Sequence, residues 1–240
     1  MTDLTPDAIV YWQWEFVTIN ATLVFTWVVM VVLGLGSWLI TRNLSVGPSI
    51  SRWQNMLETI VSLVRDQIEE VTDQKAGPYL PFIGTLFLFI AASNLLVIIP
   101  GFQPPTGSLS TTTALALCVF FAIPIFGIGK RGVVSYFKHY LEPTPFMLPF
   151  QIMSEISRTV ALAVRLFGNI MSGSLLVAII FSILPLFIPV LMQMLGLVIG
   201  AIQAYIFSVL AMVYIASATS VYEEQEKGKV EKQGKGETAG

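Results

Sequence analysis

The chain has 240 residues but only 12% of them are charged, 13 Lys+Arg against 15 Asp+Glu, where a soluble domain carries roughly 25%. With 55% hydrophobic residues and no Asp, Glu, Lys, Arg or His in 16–41, 76–129 or 166–222, an ordinary soluble globular protein is excluded. The single cysteine, Cys118, excludes an intrachain disulfide and a thiolate cluster, and no basic, aromatic-interleaved surface of the nucleic-acid-binding kind is present.

Mean hydropathy of +0.75 places the chain among all-α polytopic membrane proteins, because a hydrocarbon core of ~30 Å takes about 20 apolar helical residues per crossing. A barrel is disfavoured: its strands alternate apolar and polar, whereas Leu23 to Leu33 and Leu175 to Leu191 are almost continuously apolar.

In chain order, residues 1–15 form an acidic segment without the basic start of a cleaved signal, so the first apolar block reads as retained. A single membrane domain follows over 16–222, starting with a span at 16–40. Residues 50–72 are different. Ile50, Trp53, Met56, Leu57, Ile60, Val61, Val64, Ile68 and Val71 recur at helical spacing among Arg52, Glu58, Arg65, Asp66, Glu69 and Glu70. This predicts a cytoplasmic amphipathic helix, which either lies in the membrane interface or docks a partner subunit.

Pro100, Gly101, Pro104, Pro105 and Gly107 divide the second charge-free block into spans at 80–99 and 111–129. A short interfacial segment at 133–147 holds His139, read as solvated. Pro185 and Pro189 then separate two helices at 150–184 and 190–222. At ~1.5 Å per residue each reaches about 50 Å, more than the hydrocarbon thickness, so both must tilt, lie obliquely or protrude. The Glu-, Lys- and Gly-rich tail at 223–240 reads as disordered. Basic residues follow the first and third spans and fill the tail, whereas 100–110 and 185–189 have none, which predicts five crossings with the N-terminus outside and the C-terminus in the cytoplasm.

One charge needs an explanation. Arg165 is the only charged residue between Thr159 and Tyr222. An arginine at the bilayer centre costs ~2.5 to 3.5 kcal/mol on insertion scales and cannot shed its charge by losing a proton. Seven residues advance a helix by ~700°, so Ser154, Arg158, Arg165 and Ser172 fall nearly in line, with Asn169 one turn beyond Arg165. Ala161, Gly168 and Gly173 beside that stripe would admit another helix closely. On the last helix Gln193, Gly196, Gly200 and Gln203 share a face, with Tyr214 further along. Two polar, small-residue faces predict a wet interface inside the membrane.

Plainer readings stand beside this one. Arg165 could snorkel or pair with Glu155, although that carboxylate lies nearly three turns away. Gly196 with Gly200 matches a helix-packing motif. Asn169 and Gln203 could bond to each other, and Glu155 and Arg158 could be ordinary interfacial charges.

Ser157 to Ile170, with its Arg165-Leu166-Phe167-Gly168-Asn169 core, resembles the signature of subunit a of rotary F-type ATP synthases. Gln203 to Phe207 and Asn94 to Pro100 add further matches, and the resemblance covers nearly the whole chain. It implies a stator that wraps one side of a ring of c subunits and supplies two offset ion half-channels. Arg165 is then the essential stator arginine, Asn169 a polar residue beside it and Gln203 the glutamine facing it. Further half-channel candidates are Ser172, Ser174, Gln193, Gly196, Tyr214, Glu155 and Arg158.

The implied partners are the c ring, peripheral-stalk b subunits, the lipid bilayer and translocated H+ or Na+. No cofactor, metal site or catalysis by the chain itself is expected, and no phosphate-binding loop is present. The implied location is the bacterial cytoplasmic (inner) membrane, or alternatively the thylakoid membrane. Many proton-driven relatives carry a glutamate at the place of Ser174, sometimes with a histidine at that of Gly196. Their replacement here suits Na+ equally and is similar to the divergent N-ATPase branch. An independent secondary transporter or a membrane scaffold are the competing classes, the former disfavoured by the missing internal repeat.

Overall fold

A computed structural model describes residues 10–14, 17–42, 52–72, 76–99, 101–132, 148–183 and 188–237, with backbone alone over 10–19 and 219–237 and at 130, 131, 148, 183 and 189. The expected interfacial segment with His139 and the turn at Pro185 lie outside these residues.

The chain opens with an unexpected hairpin. Val10–Trp14 (β1) pairs antiparallel with Val17–Asn20 (β2), Trp12 opposite Ile19 and Trp14 opposite Val17. Both segments are rich in β-branched and aromatic residues, which favour strands. The first span therefore starts at Ala21, not at Phe16: α1 covers Ala21–Thr41. Its buried residues are Ala21, Thr22 and Val29, while Trp27, Met30, Leu35 and Leu39 lie exposed, as suits a helix surrounded by lipid. At its end the Arg42 guanidinium sits 5.1 Å from the Trp38 ring centroid, an aromatic and cationic pair typical of a membrane interface.

The amphipathic pattern forms α2, Arg52–Thr72. Its apolar stripe divides. Ile68 is buried, with Val64 and Val71 partly so, whereas Trp53, Met56 and Val61 are uncovered. Arg65 Nε donates to Glu69 Oε1 at 3.1 Å, and the same oxygen accepts from the Ala76 N–H at 3.5 Å, joining α2 to the next helix. The Arg65 bond, followed by the Ala76 bond, holds the Glu69 carboxyl below its usual range.

Leu80–Leu95 (α3) carries Pro81 in its first turn, where no intrahelical N–H is required, and tightens into a 3-10 turn over Leu96–Ile98. Gly101 takes φ +88°, a left-handed conformation that glycine adopts freely. The loop that follows folds back into the protein. Phe102 meets Phe25 of α1 edge-on at 4.9 Å, and Thr106 and Ser108 are wholly buried. Leu109–Arg131 (α4) contains Pro124 and ends at Gly132, φ +76°, whose N–H caps the Ile128 carbonyl.

Two long helices complete the fold, α5 over Leu148–Ile183 and α6 over Ile188–Glu237. The backbone of α6 is helical to Glu237, where disorder was expected from residue 223; Glu and Lys are good helix formers, so composition permits either state. Among the described residues five helices are long and apolar enough to span a membrane, including 149–182 and 190–218 from this pair, and the chain is an integral multi-pass membrane protein.

The final helix is the hub. It packs against α2, α3, α4 and α5, and α4 packs against α5. Leu162 and Leu166 of α5 meet Phe207, Ala211, Met212 and Ile215 of α6 in a core shared with Ile83 and Ile90 of α3 and Val119 of α4. Of the apolar window of α6, 39% is buried, but of that of α5 only 6%, so α5 gives most of its surface to whatever surrounds the chain.

Candidate functional site

Leu162, Ala163 and Leu166 hold one side of α5 against the bundle, and this fixes where the polar stripe points. Ser154, Arg158, Arg165 and Ser172 are all exposed on a flank roughly 110° around the helix from that side, with Val160 and Val164 exposed beyond them. The stripe is thus continuous and uncovered. Among the described residues Arg165 has no hydrogen bond or salt bridge, and the pairing with Glu155 is not formed. Gly168 and Gly173 have nothing within 4 Å of a built Cβ, so the close approach expected beside them is not made by a helix of this chain.

Asn169 turns toward α6. Its Nδ2 donates to Gln203 Oε1 at 3.4 Å, joining the two long helices directly behind the stripe. Gln203 is 4% exposed, and among the described residues its buried Nε2 has no hydrogen-bond partner. An unsatisfied buried amide costs about 1 to 3 kcal/mol, so a partner for this donor would be stabilising. Ser172 and Ser174 donate back to carbonyls of their own helix, to Asn169 O at 3.1 Å and Ile170 O at 2.7 Å; both are exposed, with acceptor lone pairs free of those bonds.

The shared face predicted on α6 is split by the fold. Gly200 and Gln203 are buried, whereas Gln193 and Gly196 are exposed, and a Cβ at Gly196 would meet nothing within 4 Å. The packing motif is therefore realised at Gly200 alone. Gln193 Nε2 reaches across to the Val97 carbonyl of α3, at 3.1 Å, where the 3-10 turn leaves that oxygen without a helical donor.

Toward the other end of the pair, the Arg158 guanidinium lies 5.5 Å from the centroid of the Tyr214 ring. Glu155 is half-buried, and its backbone carbonyl accepts from Thr159 Oγ1 at 2.9 Å.

A buried polar node was not singled out residue by residue from the sequence. Asn94 Nδ2 donates to the Gly200 carbonyl at 2.8 Å, while Asn94 Oδ1 accepts from Thr106 Oγ1 at 3.1 Å. All three residues are buried, in an otherwise apolar contact of α3, α6 and the loop. Close by in sequence, the buried Gln103 Oε1 has no hydrogen-bond partner among the described residues. A lone asparagine ending an apolar span was the available signal. Gln67 of α2 was also missed; its Oε1 accepts from Tyr205 Oη of α6.

The described residues hold no group of three or more His, Cys, Asp or Glu arranged to bind a metal. The arrangement instead offers a fixed, uncompensated positive charge on an apolar outer face, backed by amides and hydroxyls that can exchange hydrogen bonds with a passing polar group.

Comparison with known proteins shows the family. Residues 23–216 match the family model described as ATP synthase A chain. The chain is 64% identical over 218 residues to ATP synthase subunit a 2 of Acaryochloris marina, covering 91% of this chain and 93% of that protein. It is 61% identical to ATP synthase subunit a 1 of Crocosphaera subtropica, covering 93% and 97%. To ATP synthase subunit a of Albidiferax ferrireducens it is 57% identical, covering 90% and 94%. An embedded arginine on an outward face, two long closing helices and this breadth of similarity converge: the chain belongs to the ATP synthase A chain family, subunit a of the F-type ATP synthase.

Proposed function

We propose that this chain is the ion-conducting stator of the membrane sector and that Arg165 is the charge that couples ion passage to rotation of a c ring. The observation that carries the reading is the exposed guanidinium on a membrane-embedded helix, without a partner among the described residues. Such a charge calls for a recurrent counter-ion from another chain. A ring carboxylate is neutral while it carries its ion through lipid. Within ~4 to 6 Å of Arg165, the opposite charge favours its ionised form by roughly 1 to 3 pKa units, and the ion leaves. The next carboxylate is reloaded from the other side. A membrane potential contributes about 2.3 kcal/mol per charge per 100 mV to this cycle.

In this reading Asn169 and Gln203 buttress the arginine side of the path. Ser172, Ser174, Gln193 and Gly196 line the outer half-channel, and Glu155, Arg158 and Tyr214 the cytoplasmic one. The chain is non-catalytic; nucleotide chemistry belongs to the soluble head. The topology is N-terminus outside and C-terminus in the bacterial cytoplasm, with α2 on the cytoplasmic surface beside the peripheral-stalk b subunits. The excess length of α5 and α6 is accommodated by an oblique lie against the ring.

Cross-linking tests the ring-facing side. In a Cys118→Ser background, removing the exposed native thiol, a cysteine at Val160 or Val164 is expected to cross-link to a c subunit in the assembled complex. Cross-links from Trp27 or Leu35 of α1 with none from either α5 position would overturn the assignment.

H+ is the coupling ion in the main reading. The serine at 174 and glycine at 196, where proton-driven relatives place titratable groups, favour Na+ as the second. ATP hydrolysis by the intact complex at fixed ionic strength separates them: H+ coupling predicts no response to Na+, and clear activation by Na+ would reverse the choice.

A further inference from the structure

The N-terminal hairpin is the part of the fold that the stator cycle leaves without a task. Its register sorts the residues by face. Residues directly opposite in an antiparallel pair share a side of the ribbon, and neighbours along a strand alternate. Trp12 stands opposite Ile19 and Trp14 opposite Val17, so these four share one face, while Gln13 and Thr18, paired with each other, fall on the reverse. The ribbon is therefore amphipathic, with one face wholly apolar and rich in tryptophan. Among the described residues no element but α1 packs substantially against it: β1 meets β2, and β2 otherwise meets only the helix that continues from it. An isolated two-stranded hairpin is marginally stable at best in water, so its apolar face needs a cover. Chain continuity says which. β2 ends at Asn20 and α1 starts at Ala21, with no linker between them. Because α1 is a membrane span with Trp27, Met30 and Leu35 exposed, the hairpin is held at the level where this helix enters lipid.

We infer that the Trp12, Trp14, Val17 and Ile19 face of the hairpin is a lipid-docking surface, seated flat in the headgroup layer beside the first turn of α1. This needs only the membrane span and stands apart from the stator reading. The open edges fix the depth. Among the described residues each strand pairs only with the other, so the outer edges leave N–H and C=O groups that hydrocarbon cannot satisfy and interfacial water can. Tryptophan favours the same level, where an amphipathic ring meets both apolar chains and water. Thickness fixes the tilt. The headgroup layer is roughly 5 to 7 Å deep on each side, whereas a five-residue strand is about 16 Å long, so an upright ribbon would overrun it. Charge plays no part in the attraction. Glu15 is the only charged residue from 8 to 41, so the seat is apolar and asks for no anionic lipid. Without a linker, the seated ribbon sets how deep the start of α1 lies.

The test uses the complete complex in phosphatidylcholine vesicles, with Cys118→Ser in this chain and no reactive cysteine in the other subunits. A nitroxide is attached at Trp12→Cys or Ile19→Cys on the apolar face, and at Gln13→Cys or Thr18→Cys on the reverse. Its collisions with oxygen, which concentrates in lipid, and with a water-soluble nickel complex equilibrated across the vesicle are read by power saturation. At 12 and 19 oxygen collisions are expected to exceed nickel collisions severalfold, and at 13 and 18 the ratio is expected to reverse. Vesicles containing phosphatidylglycerol should give the same pattern. Few collisions with either agent at 12 and 19 would place another polypeptide on the face and overturn the lipid seat. Equal ratios on the two faces would refute it as well, and a pattern that appears only with phosphatidylglycerol would overturn its apolar basis. If a label at 12 blocks assembly, 19 reads the same face, and 14 or 17 reads it again.

Discussion

Arg165→Leu is expected to abolish ATP-driven ion pumping while the complex still assembles, with vesicle acidification or Na+ uptake at least ~100-fold below the parent. The sign on assembly comes from solvation. The guanidinium has no partner among the described residues, so its removal leaves no orphaned carboxylate and relieves an insertion cost of about 2.5 to 3.5 kcal/mol. The sign on pumping comes from the same absence. Without a fixed positive charge, an arriving carboxylate gains no stabilisation of its ionised form, and a preference of 1 to 3 pKa units corresponds to about 1.4 to 4 kcal/mol at the step where the ion leaves. Arg165→Lys should fall between parent and Leu. It keeps the sign of the charge, but on a compact head that loses its proton when desolvated and cannot present the planar fork of donors. Normal pumping by Arg165→Leu would leave a structural scaffold as the better description of the chain.

The second large effect is on folding. Gly200→Ala is expected to destabilise the protein by about 1 to 3 kcal/mol, the usual cost of forcing one methyl into a packed contact. A Cβ there would stand 2.9 Å from Asn94 Cβ and 3.1 Å from Asn94 Cγ and Nδ2. Relief would require Asn94 to move, and Asn94 is fixed on both sides by its bonds to the Gly200 carbonyl and Thr106. Gly34→Ala in α1, where nothing lies within 4 Å, is the matched control. It should stabilise by a few tenths to ~1 kcal/mol, because alanine costs less backbone entropy in a helix. Thermal denaturation of the two variants in the same detergent compares them, and an equal or higher Tm for Gly200→Ala would show that the asparagine contact yields freely.

Much of this architecture was legible because lipid imposes a simple rule on sequence. Charge-free runs marked the five spans, and a near-seven-residue repeat put Ser154, Arg158, Arg165 and Ser172 on one face, where the structure has them. The Asn169 to Gln203 bond was one of two open readings. The hairpin was not legible: Val17, Thr18 and Ile19 run into the first span across the single uncharged Asn20, and a short apolar run looks alike in strand and helix. Nor was the division of the α6 face, because Gly196 and Gly200 carry the same local signal. What separates them is Asn94, 106 residues earlier in the chain, and one-dimensional spacing contains no record of that encounter.

The unequal seating of the two long helices has a mechanical meaning. A stator must take up the reaction to every step of a rotor, and a helix exposed over most of its length cannot do so alone. On the proposed stator reading, force arriving on the outer side of α5 would pass through Leu162, Leu166 and the Asn169 to Gln203 bond into α6. From there it spreads into α3 through Asn94 and into α2 through Tyr205 and Gln67. On that reading the chain is a compliant blade backed by a stiff spine, and slack at Gly200 or Tyr205 would be felt as lost torque by a motor whose arginine is untouched.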